Sequence, residues 1–394
     1  MASFSVRFLG CKVSQLDAHD VREALVGDGH REVEGAGDVA VVNTCCVTHA
    51  ALRKSRRAAA RAARTHGRVY VTGCGANLGG DAFAGLPSNV VVVRRRSEAT
   101  AALVAADVGA LGCVGGEAQL ARTRAFVKIQ DGCSFSCRFC VIPLVRGGTR
   151  SRRADAVLAE VRRRVAQGHP EVVLTGINLG LFRDGSYRLP QLVREVGAVP
   201  GLRRLRLSSI EVNHVDDDLV DALRETPTVG RHLHVPLQSG DDAVLRAMGR
   251  RYTVERFLAR LEPLADFNLT TDAIVGFPDE DERAFQGTLC TVERAGITKV
   301  HVFPYSPRPG TATAALDTVP PEIKRERSAR LRAWSDAACR ARWQARLGTV
   351  DDVLIDRPGR GYGRDYTPWL LDGEVGTLRR VRAAAMTEEG IVAA

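Results

Sequence analysis

The sequence lacks several features that would place it in other classes of protein. No window approaches the run of about 18 apolar residues that spans a membrane, and no N-terminal stretch combines a charged start, an apolar run and a small-residue cleavage site. It also contains no short-period repeat and no low-complexity tract. We therefore expect a globular, cytoplasmic protein without a membrane partner. Its ten cysteines are then expected to be reduced thiols rather than disulfides.

Lysine is scarce in this chain. It occurs only at Lys12, Lys54, Lys128, Lys299 and Lys324, so the 56 basic residues are mostly arginine, and the formal net charge is +10. A net positive charge favours a polyanionic partner such as RNA. An arginine- and alanine-rich composition is also typical of a GC-rich genome, so charge alone leaves the partner open.

Apolar periodicity divides the 394 residues into three parts and a linker. Residues 1–108 alternate short β-rich runs with helical patterns, which predicts a small parallel sheet covered by helices. A glycine-rich linker follows at 109–121. Residues 122–346 contain six β/α units and a long basic helix, and six units are too few for a complete eightfold barrel of about 250 residues. Residues 347–394 carry short β-type runs and predict a small all-β module.

Three cysteines stand close together just after the first predicted barrel strand. Residues 132–140 read GCSFSCRFC, so Cys133, Cys137 and Cys140 have C-x3-C-x2-C spacing and no fourth cysteine nearby. Three thiolates can bind three irons of a [4Fe-4S] cluster and leave the fourth iron open to S-adenosylmethionine (SAM). The alternatives are three unrelated loop cysteines or part of a zinc site, which would need a further close ligand.

A second set of cysteines follows three predicted strands of the N-terminal sheet. Cys11 follows Phe8-Leu9-Gly10, Cys45 follows residues 41–44, and Cys74 follows residues 71–73. The carboxyl ends of parallel strands meet at one edge of a sheet, where open α/β folds bind their ligands. This predicts a second, auxiliary cluster with three protein ligands. The alternative is that they are buried core cysteines at strand ends.

The remaining cysteines are weaker candidates. Cys46 stands beside Cys45, and neighbouring side chains on an extended segment point in opposite directions, so only one of the two faces the predicted cluster; Cys45 is favoured. Cys113, Cys290 and Cys339 are interpreted as packing or incidental thiols.

At this point the chain resembles a known family, the radical SAM methylthiotransferases, in motifs spread over almost its whole length. The motifs are residues 10–13 (GCKV), 42–45 (VNTC), 71–74 (VTGC), 128–133 (KIQDGC), 206–211 (RLSSIE), 236–240 (PLQSG) and 302–306 (VFPYS). Residues 10–13, residues 232–236 (HLHVP) and the short C-terminal module look most like the branch that acts on N6-threonylcarbamoyladenosine in tRNA. Departures from the family pattern at Ser14, Leu144, Asp279 and Cys46 remove no proposed cluster ligand.

The resemblance implies an α/β fold with an N-terminal Rossmann-like parallel sheet domain, a central partial (β/α)6 radical SAM barrel and a C-terminal TRAM-type RNA-binding module. It implies two [4Fe-4S] clusters, and SAM both as methyl donor and as the source of a 5'-deoxyadenosyl radical. The implied reaction inserts a methylthio group at C2 of N6-threonylcarbamoyladenosine at tRNA position 37. The implied partners are the tRNA anticodon loop and an external electron donor such as flavodoxin or ferredoxin. The sulfur source stays open.

The carboxyl ends of the barrel strands are the expected SAM site, because barrels of this type bind ligands there. The candidate contacts are Gly176, Asn178, Ser209, Glu211, Gln238, Ile274, Gly276 and Tyr305. For Glu211, a structural ion pair with an arginine is an equal alternative. His232 and His234 lie on one face of a strand and are interpreted as hydrogen-bonded residues of the barrel interior rather than metal ligands.

Clusters of basic residues are the expected RNA contacts, binding phosphates rather than reading bases. They are Arg53, Lys54, Arg56, Arg57, Arg61 and Arg64 on one helix, Arg146, Arg150, Arg152 and Arg153 after the cysteine triplet, and Arg379, Arg380 and Arg382 in the tail. A solvated basic face is the alternative for each cluster.

Two other functions remain open at this stage. A related methylthiotransferase acting on N6-isopentenyladenosine in tRNA, or on a ribosomal protein, would keep both clusters and change the substrate pocket. A non-catalytic metal- and RNA-binding protein would explain the charge and the cysteines. It would leave the SAM motifs at the barrel-strand ends without a purpose.

Overall fold

The computed structural model describes residues 2–79, 81–94, 102–104, 106 and 123–394. The predicted linker at 109–121 and Cys113 lie outside these residues. In the described part of the chain, no helix is both long and apolar enough to cross a membrane.

The described residues form two compact units. The first takes in the described residues of Met1–Ala121 together with Gly132–Thr149 and Ser306–Ala315; the second comprises Arg122–Asp131, Arg150–Tyr305 and Leu316–Ala394. The two units do not follow the domain boundaries predicted at residues 108, 121 and 346. The reason is that the loop of the cysteine triplet belongs to the first unit and the C-terminal module belongs to the second.

The first unit is built on a five-stranded parallel sheet of order β2-β1-β3-β4-β5. The strands are β1 (Ser3–Phe8), β2 (Arg31–Glu32), β3 (Gly37–Thr44), β4 (His66–Gly73) and β5 (Val90–Val92). The helices are α1 (Lys12–Gly27), α2 (His49–Ala62), α3 (Cys74–Asn77) and α4 (Ile142–Arg146). Apolar clusters lie on both faces of the central strands, as expected of a parallel sheet covered by helices.

The second unit begins with six main parallel strands. The strands before its C-terminal module are β6 (Arg124–Lys128), β7 (Gln130–Asp131), β8 (Arg150–Ser151), β9 (Glu171–Thr175), β10 (Arg183–Asp184), β11 (Tyr187–Arg188), β12 (Arg204–Leu207), β13 (His232–His234), β14 (Asn268–Val275) and β15 (Ile297–Pro304). β12-β9-β6 and β13-β14-β15 are parallel sheets, and the bridges Leu205↔Val229 and Ser209↔His234 link β12 to the region of β13.

Helices connect these strands and bury one large apolar core. They are α5 (Ala154–Ala166), α6 (Leu189–Gly197), α7 (Asp217–Glu225), α8 (Asp242–Ala247), α9 (Val254–Leu261), α10 (Glu282–Arg294) and α11 (Pro321–Ala345). Apolar side chains from strands and helices between Ala125 and Leu331 pack together in this one core. The long helix predicted before the C-terminal module is therefore confirmed as α11.

The C-terminal module is a small closed barrel of order β16-β17-β18-β20-β19. Its strands are β16 (Val350–Arg357), β17 (Arg360–Tyr362), β18 (Pro368–Leu370), β19 (Leu378–Thr387) and β20 (Gly390–Ala393). Val353, Trp369, Ala383 and Ile391 form its core. The predicted all-β character is confirmed, although the β-type runs predicted at residues 353–355, 367–371, 376–381 and 390–392 do not include β17.

Polar contacts fasten this module to the amino ends of β9 and β12 in the second unit. Arg204 donates to the carbonyls of Tyr362 and Asp352, and it pairs with Glu171 at 3.3 Å. Arg206 pairs with the same Glu171 at 3.1 Å. Because the module occupies these amino ends, the carboxyl ends of the strands are the ends that it leaves uncovered.

Candidate metal centre

The structure brings Cys11, Cys45 and Cys74 to one edge of the first sheet. β1, β3 and β4 are neighbouring parallel strands, with Phe8 opposite Asn43 and Thr44 opposite Gly73. Cys45 and Cys74 are the first residues after β3 and β4, while Cys11 follows β1 at the start of α1. The predicted convergence at a carboxyl edge is therefore present in the fold.

Two glycines allow the strand ends to come close to each other. A Cβ at Gly10 would lie 3.1 Å from Cβ of Cys45, so the absence of a side chain there lets the segment before Cys11 contact Cys45. A Cβ at Gly73 would lie 2.1 Å from Oδ1 of Asn43, and Gly73 has φ +86°. Only glycine fits both demands at that position.

Burial controls the protonation of two of these thiols. Cys11 is exposed, whereas Cys45 is 7% and Cys74 is 4% exposed. Burial raises the pKa of the Cys45 thiol, and it raises that of Cys74 to about 12. The charge of Arg146 opposes the shift at Cys74. Both thiols therefore stay protonated at neutral pH until a metal or a nearby cation stabilises the thiolate.

Cys46 packs in an apolar cluster that also contains Cys74. It is fully buried with Cys74, Val141 and Val145, and its Sγ donates to the carbonyl of Cys74 at 3.4 Å. Arg308 in turn donates to the carbonyl of Cys46 at 3.2 Å. Cys46 thus has a packing role, which favours Cys45 as the ligand.

The cysteine triplet lies on a loop that hydrogen bonds close at its base. Cys133 N–H donates to the carbonyl of Gly147 at 3.0 Å, and Ser134 and Thr149 exchange backbone-to-hydroxyl bonds of 3.0 Å each. Gly132 has φ +69°, and a Cβ there would lie 2.1 Å from the carbonyl oxygen of Gly148. The three cysteines are half-exposed, so the loop presents its thiols rather than burying them.

The donor chemistry of both sets fits iron-sulfur clusters. Each set supplies three thiols, which are the ligands that [4Fe-4S] clusters use. In the described part of the chain, no three His, Cys, Asp or Glu side chains are gathered to chelate one ion. A [4Fe-4S] cluster does not need such a group, because each of its cysteines binds a different iron. At the triplet, Phe135 N–H donates to Sγ of Cys133 at 3.5 Å, a bond of the kind that stabilises cluster thiolates.

The candidate SAM contacts lie at or after the carboxyl ends of five of the six main strands in the second unit, β9, β12, β13, β14 and β15. Gly176 and Asn178 follow β9, Ser209 follows β12, and Gln238 follows β13. Gln130 supports the first two, since its Oε1 accepts the backbone N–H groups of Ile177 at 3.0 Å and Asn178 at 2.9 Å.

Two of these residues carry signs of a binding site. Oδ1 of Asn178 is buried without a hydrogen-bond partner among the residues that the structure describes, and a buried orphan acceptor is uncommon in folded proteins. Gln238 adopts φ +71°, a conformation that is costly for a residue with a side chain. Its backbone is held by β14, because Gln238 N–H donates to Asp272 and Ile274 N–H donates to Gln238, both at 2.8 Å.

The other candidates have structural partners. Glu211 accepts from Asn213 N–H at 3.0 Å and pairs with Arg250 at 3.5 Å, so the ion pair weighed in the sequence analysis is present. Gly276 lies against Lys324, whose Cγ would be 2.4 Å from an added Cβ. Tyr305 packs edge-on against Phe277. Ile274, on β14, is half-buried.

His232 and His234 are hydrogen-bonded side chains, as interpreted from the sequence. Both rings contact Oγ1 of Thr270, at 3.2 Å and 2.9 Å. Nε2 of His234 lies 3.3 Å from the Asp272 carboxylate.

The predicted RNA contacts fall into two groups. Arg53, Lys54, Arg57, Arg61 and Arg64 are exposed on or just after α2, and in the described part of the chain they form no ion pair. Arg380 is also exposed. Arg379 and Arg382 are exposed but donate to the carbonyls of Asp372 and Gly348.

Other members of those clusters are engaged within the protein. Arg152 pairs with Glu160 at 2.6 Å, Arg150 lies 3.8 Å from Asp131, and Arg153 pairs with Asp155 at 2.7 Å. Arg56 donates to two loop carbonyls.

The prediction that Arg146 contacts RNA is wrong, because its side chain is only 6% exposed and it binds Asp17 and Cys74. The spacing in sequence gave no sign of this contact, since Asp17, Cys74 and Arg146 are far apart along the chain.

Family models match two parts of the chain. Residues 127–289 match the radical SAM superfamily, and residues 3–94 match the uncharacterized protein family UPF0004. A solved radical S-adenosylmethionine methyltransferase, TsrM from Kitasatospora setae, shares the fold with a TM-score of 0.59 at 15% identity. That likeness covers 79% of this chain and 76% of the other.

Curated relatives match over most of the chain. The threonylcarbamoyladenosine tRNA methylthiotransferase MtaB of Chlamydia pneumoniae is 32% identical over 99% of this chain and 97% of its own length. The enzyme of the same name from Bacillus subtilis is 35% identical over 85% and 81%. A tRNA-2-methylthio-N(6)-dimethylallyladenosine synthase from Alkalilimnicola ehrlichii is 34% identical over 90% and 86%.

Proposed function

The chain belongs to the radical SAM methylthiotransferase family, and from that premise we propose that it transfers a methylthio group to C2 of N6-threonylcarbamoyladenosine at tRNA position 37. The observation that carries this proposal is the 32% identity to an enzyme named for that reaction, sustained over 99% of the chain. The placement of two cysteine triads agrees with it.

The proposed cofactors are SAM and two [4Fe-4S] clusters. Cys133, Cys137 and Cys140 would hold one cluster, and Cys11, Cys45 and Cys74 would hold the auxiliary cluster. When bound, these groups supply the reductive cleavage of SAM and a site for the sulfur that becomes the methylthio group. An aromatic C–H bond needs such chemistry, because ordinary acid–base groups do not activate it.

The protein's own residues position these groups. Three thiols in each set leave one iron without a protein ligand, which suits binding of SAM or of sulfur. The closed base of the 132–149 segment holds its half-exposed thiols in place. The backbone of Cys45 is fixed by Ser55 of α2, whose hydroxyl accepts the Cys45 N–H at 3.0 Å and donates to its carbonyl at 3.2 Å.

The SAM contacts proposed in the second unit are led by Asn178 and Gln238. The buried, unpartnered Oδ1 of Asn178 is available to a donor on the ligand. The conformation of Gln238 sets its side chain at the carboxyl end of β13 at a local energetic cost. Four further residues are proposed as SAM contacts because they lie at the ends of strands: Gly176, Ser209, Ile274 and Tyr305. Glu211 and Gly276 have structural explanations and are weaker candidates.

In this proposal the six main parallel strands of the second unit form a partial (β/α)6 barrel, the first unit's sheet is a Rossmann-like domain, and the closed C-terminal barrel is a TRAM-type RNA-binding module. The exposed cations of α2 and the exposed Arg379, Arg380 and Arg382 on β19 would contact tRNA phosphates. A cytoplasmic location, the anticodon loop as the docking region and an external reductant such as flavodoxin or ferredoxin complete the proposal.

A second candidate substrate is N6-isopentenyladenosine in tRNA, which keeps the same chemistry. The relative from Alkalilimnicola ehrlichii, named for the dimethylallyl nucleoside, is 34% identical over 90% of this chain. Identity alone therefore separates the two substrates poorly. The C-terminal module and the near-complete coverage of the Chlamydia pneumoniae enzyme favour threonylcarbamoyladenosine.

The experiment that separates the substrates is expression in a bacterial host that lacks both of its own tRNA methylthiotransferases. Mass spectrometry of the tRNA nucleosides would be expected to show the methylthio derivative of threonylcarbamoyladenosine only. Appearance of the methylthio derivative of isopentenyladenosine instead would assign the second substrate. A Cys133→Ala chain is the control, because it should yield neither nucleoside.

A further inference from the structure

A short helix in the first unit connects the two cysteine sets. α4 (Ile142–Arg146) begins two residues after Cys140 and ends at Arg146. Its side chains Val145 and Ile142, with the preceding Val141, pack in one apolar cluster with Cys46 and Cys74. Nδ2 of Asn77, on α3, also donates to the carbonyl of Val145 at 3.0 Å. The helix is therefore fixed against the segment that carries Cys74.

Arg146 makes a direct contact with one of the auxiliary cysteines. Its Nε lies 3.1 Å from Sγ of Cys74, and its Nη2 lies 2.7 Å from Oδ2 of Asp17 on α1. The side chains of Arg146 and Asp17 are 6% and 5% exposed. A planar guanidinium can serve two acceptors at once in a fixed geometry, and it stays charged when buried.

The chemical role of this contact follows from the state of Cys74 as a ligand. A cysteine binds iron as a thiolate, and a buried negative charge needs a compensating donor. Hydrogen bonds to cluster sulfurs, and net charge around them, help to set the reduction potential of iron-sulfur clusters. A charged donor aimed at Sγ of Cys74 stabilises the more negative, reduced cluster.

We propose that Arg146 is a positioning residue of the auxiliary cluster. It donates a hydrogen bond to the Cys74 sulfur and thereby raises the reduction potential of that cluster. It also anchors the end of the SAM-cluster loop to the auxiliary site. This inference rests on the proposed function only in taking Cys11, Cys45 and Cys74 as ligands of an auxiliary cluster. Asp17 orients the guanidinium. The same side chain thus belongs to the loop of one triad and contacts a ligand of the other.

The test uses the full-length chain with Cys133, Cys137 and Cys140 all changed to alanine, so that only the auxiliary cluster is loaded. Its midpoint potential is measured by redox titration followed by electron paramagnetic resonance. In this background Arg146→Gln is expected to move the midpoint to a more negative value. The expected shift changes the ratio of reduced to oxidised cluster at a fixed potential at least tenfold, which is about 59 mV for one electron.

Two further variants keep the test decisive. Arg146→Lys retains the charge but lacks the forked guanidinium that reaches both Asp17 and Cys74. A smaller shift of the midpoint potential to more negative values is therefore expected. This variant gives a result even if Arg146→Gln fails to hold a cluster. Arg327→Lys is the matched control: Arg327 is equally buried and pairs with Glu280 at 2.8 Å in the other compact unit. The control should keep the parent potential.

The possible results separate this inference from the assignment of the cluster itself. If the triple-alanine chain binds no [4Fe-4S] cluster, the auxiliary assignment and this inference both fail. If the triple-alanine chain binds a cluster, and Arg146→Lys leaves the reduction potential of that cluster unchanged, Arg146 has only a structural role. The same result is then required of Arg146→Gln if that variant binds a cluster. An equal shift in Arg327→Lys would also overturn the inference, because it would show a general effect of losing a buried arginine.

Discussion

At Gly73, the residue before Cys74, the backbone leaves no room for a side chain. Gly73 has φ +86°, and an added Cβ would lie 2.1 Å from Oδ1 of Asn43. We predict that Gly73→Ala displaces Cys74 and removes the auxiliary cluster's share of the bound iron after reconstitution. Iron and sulfide analysis, with the spectrum of the remaining SAM cluster, measures the loss.

Gly79→Ala is the control for backbone strain. Gly79 has a similar φ of +78°, but within the described ranges no atom lies within 4 Å of an added Cβ. Left-handed strain alone costs about 1–2 kcal/mol, so this variant should be mildly destabilised and keep both clusters. Equal iron loss in the two variants would show that strain, rather than the position of Cys74, governs loading.

The sequence was informative for single residues whose role depends on local spacing. Cys11, Cys45 and Cys74 were predicted to meet because each follows a parallel strand, and they lie at one sheet edge. Arg146 was misassigned because its partners, Asp17 and Cys74, are distant in sequence. A contact between distant segments leaves no periodic signal in a single chain.

Among the elements, α2 (His49–Ala62) is distinguished by its charge. It contains no carboxylate, and Lys54, Arg57 and Arg61 are exposed at a spacing that places them along one side of the helix. We predict that changing all three to alanine weakens tRNA binding and reduces the salt dependence of the affinity by about 2–3 in the log–log slope. Binding titrations at several salt concentrations measure both effects.

A matched change elsewhere separates a local interface from net charge. Arg162, Arg163 and Arg256 are exposed on α5 and α9 of the second unit, so their replacement by alanine removes the same charge. This control should leave the slope close to that of the parent chain. An equal loss in both triple variants would mean that α2 is only a solvated basic face.

Element prediction succeeded where apolar periodicity was strong. The apolar runs at residues 126–129, 172–175, 205–208, 232–235, 271–275 and 300–303 predict the six main strands of the second unit, and the basic stretch at 322–346 predicts α11. All seven elements lie within a few residues of these positions. The two-residue strands β2, β7, β8, β10 and β11 are not predicted, because two residues show no alternation. β7 and β8 pair with each other on either side of the cysteine loop, so their existence depends on how that loop closes.

At the scale of the whole molecule, Asp365 joins the C-terminal module to the body of the second unit. It is 3% exposed and accepts from Arg346 at 2.6 Å and Arg342 at 2.9 Å, both near the end of α11. Its backbone carbonyl accepts from Asn268 of β14 at 2.8 Å. Burial alone would raise the pKa of Asp365, but the two arginines outweigh it and hold the pKa below the ordinary 3.8.

We predict that Asp365→Asn lowers the free energy of unfolding by about 3–5 kcal/mol at neutral pH, because it removes the carboxylate that pairs with Arg342 and one of the two carboxylates that pair with Arg346, the other being Asp351. A carboxylate with a lowered folded-state pKa stabilises the fold above its unfolded-state value. The difference between parent and variant should therefore be constant above about pH 4 and disappear as the pH falls through the lower folded-state pKa. Urea unfolding at a series of pH values measures it.

Asp155→Asn is the control for this prediction. Asp155 pairs with Arg153 at 2.7 Å, but both side chains are more than half exposed, so the variant should keep a free energy of unfolding close to that of the parent. A loss at Asp365→Asn that persists unchanged to low pH would contradict the ion-pair explanation.

The division of the molecule was the part least accessible from sequence. The all-β character of the tail was predicted from its short β-type runs, but its fastening through Arg204 and Arg206 was not, because those arginines resemble any others in an arginine-rich chain. The loop of residues 132–149 was predicted to belong to the barrel because it follows a barrel strand. It belongs to the first unit instead, where Asn77 of α3 donates to the carbonyl of Val145.

The most direct test of the account is a reaction of the purified, reconstituted chain with tRNA that carries N6-threonylcarbamoyladenosine, in the presence of SAM and a reductant. Mass spectrometry would follow both 5'-deoxyadenosine and the methylthio nucleoside. The account predicts both products from the parent chain, 5'-deoxyadenosine without the methylthio nucleoside from Cys11→Ala, and neither from Cys133→Ala. A methylthio nucleoside made at the parent level by Cys11→Ala or Cys133→Ala would contradict the account.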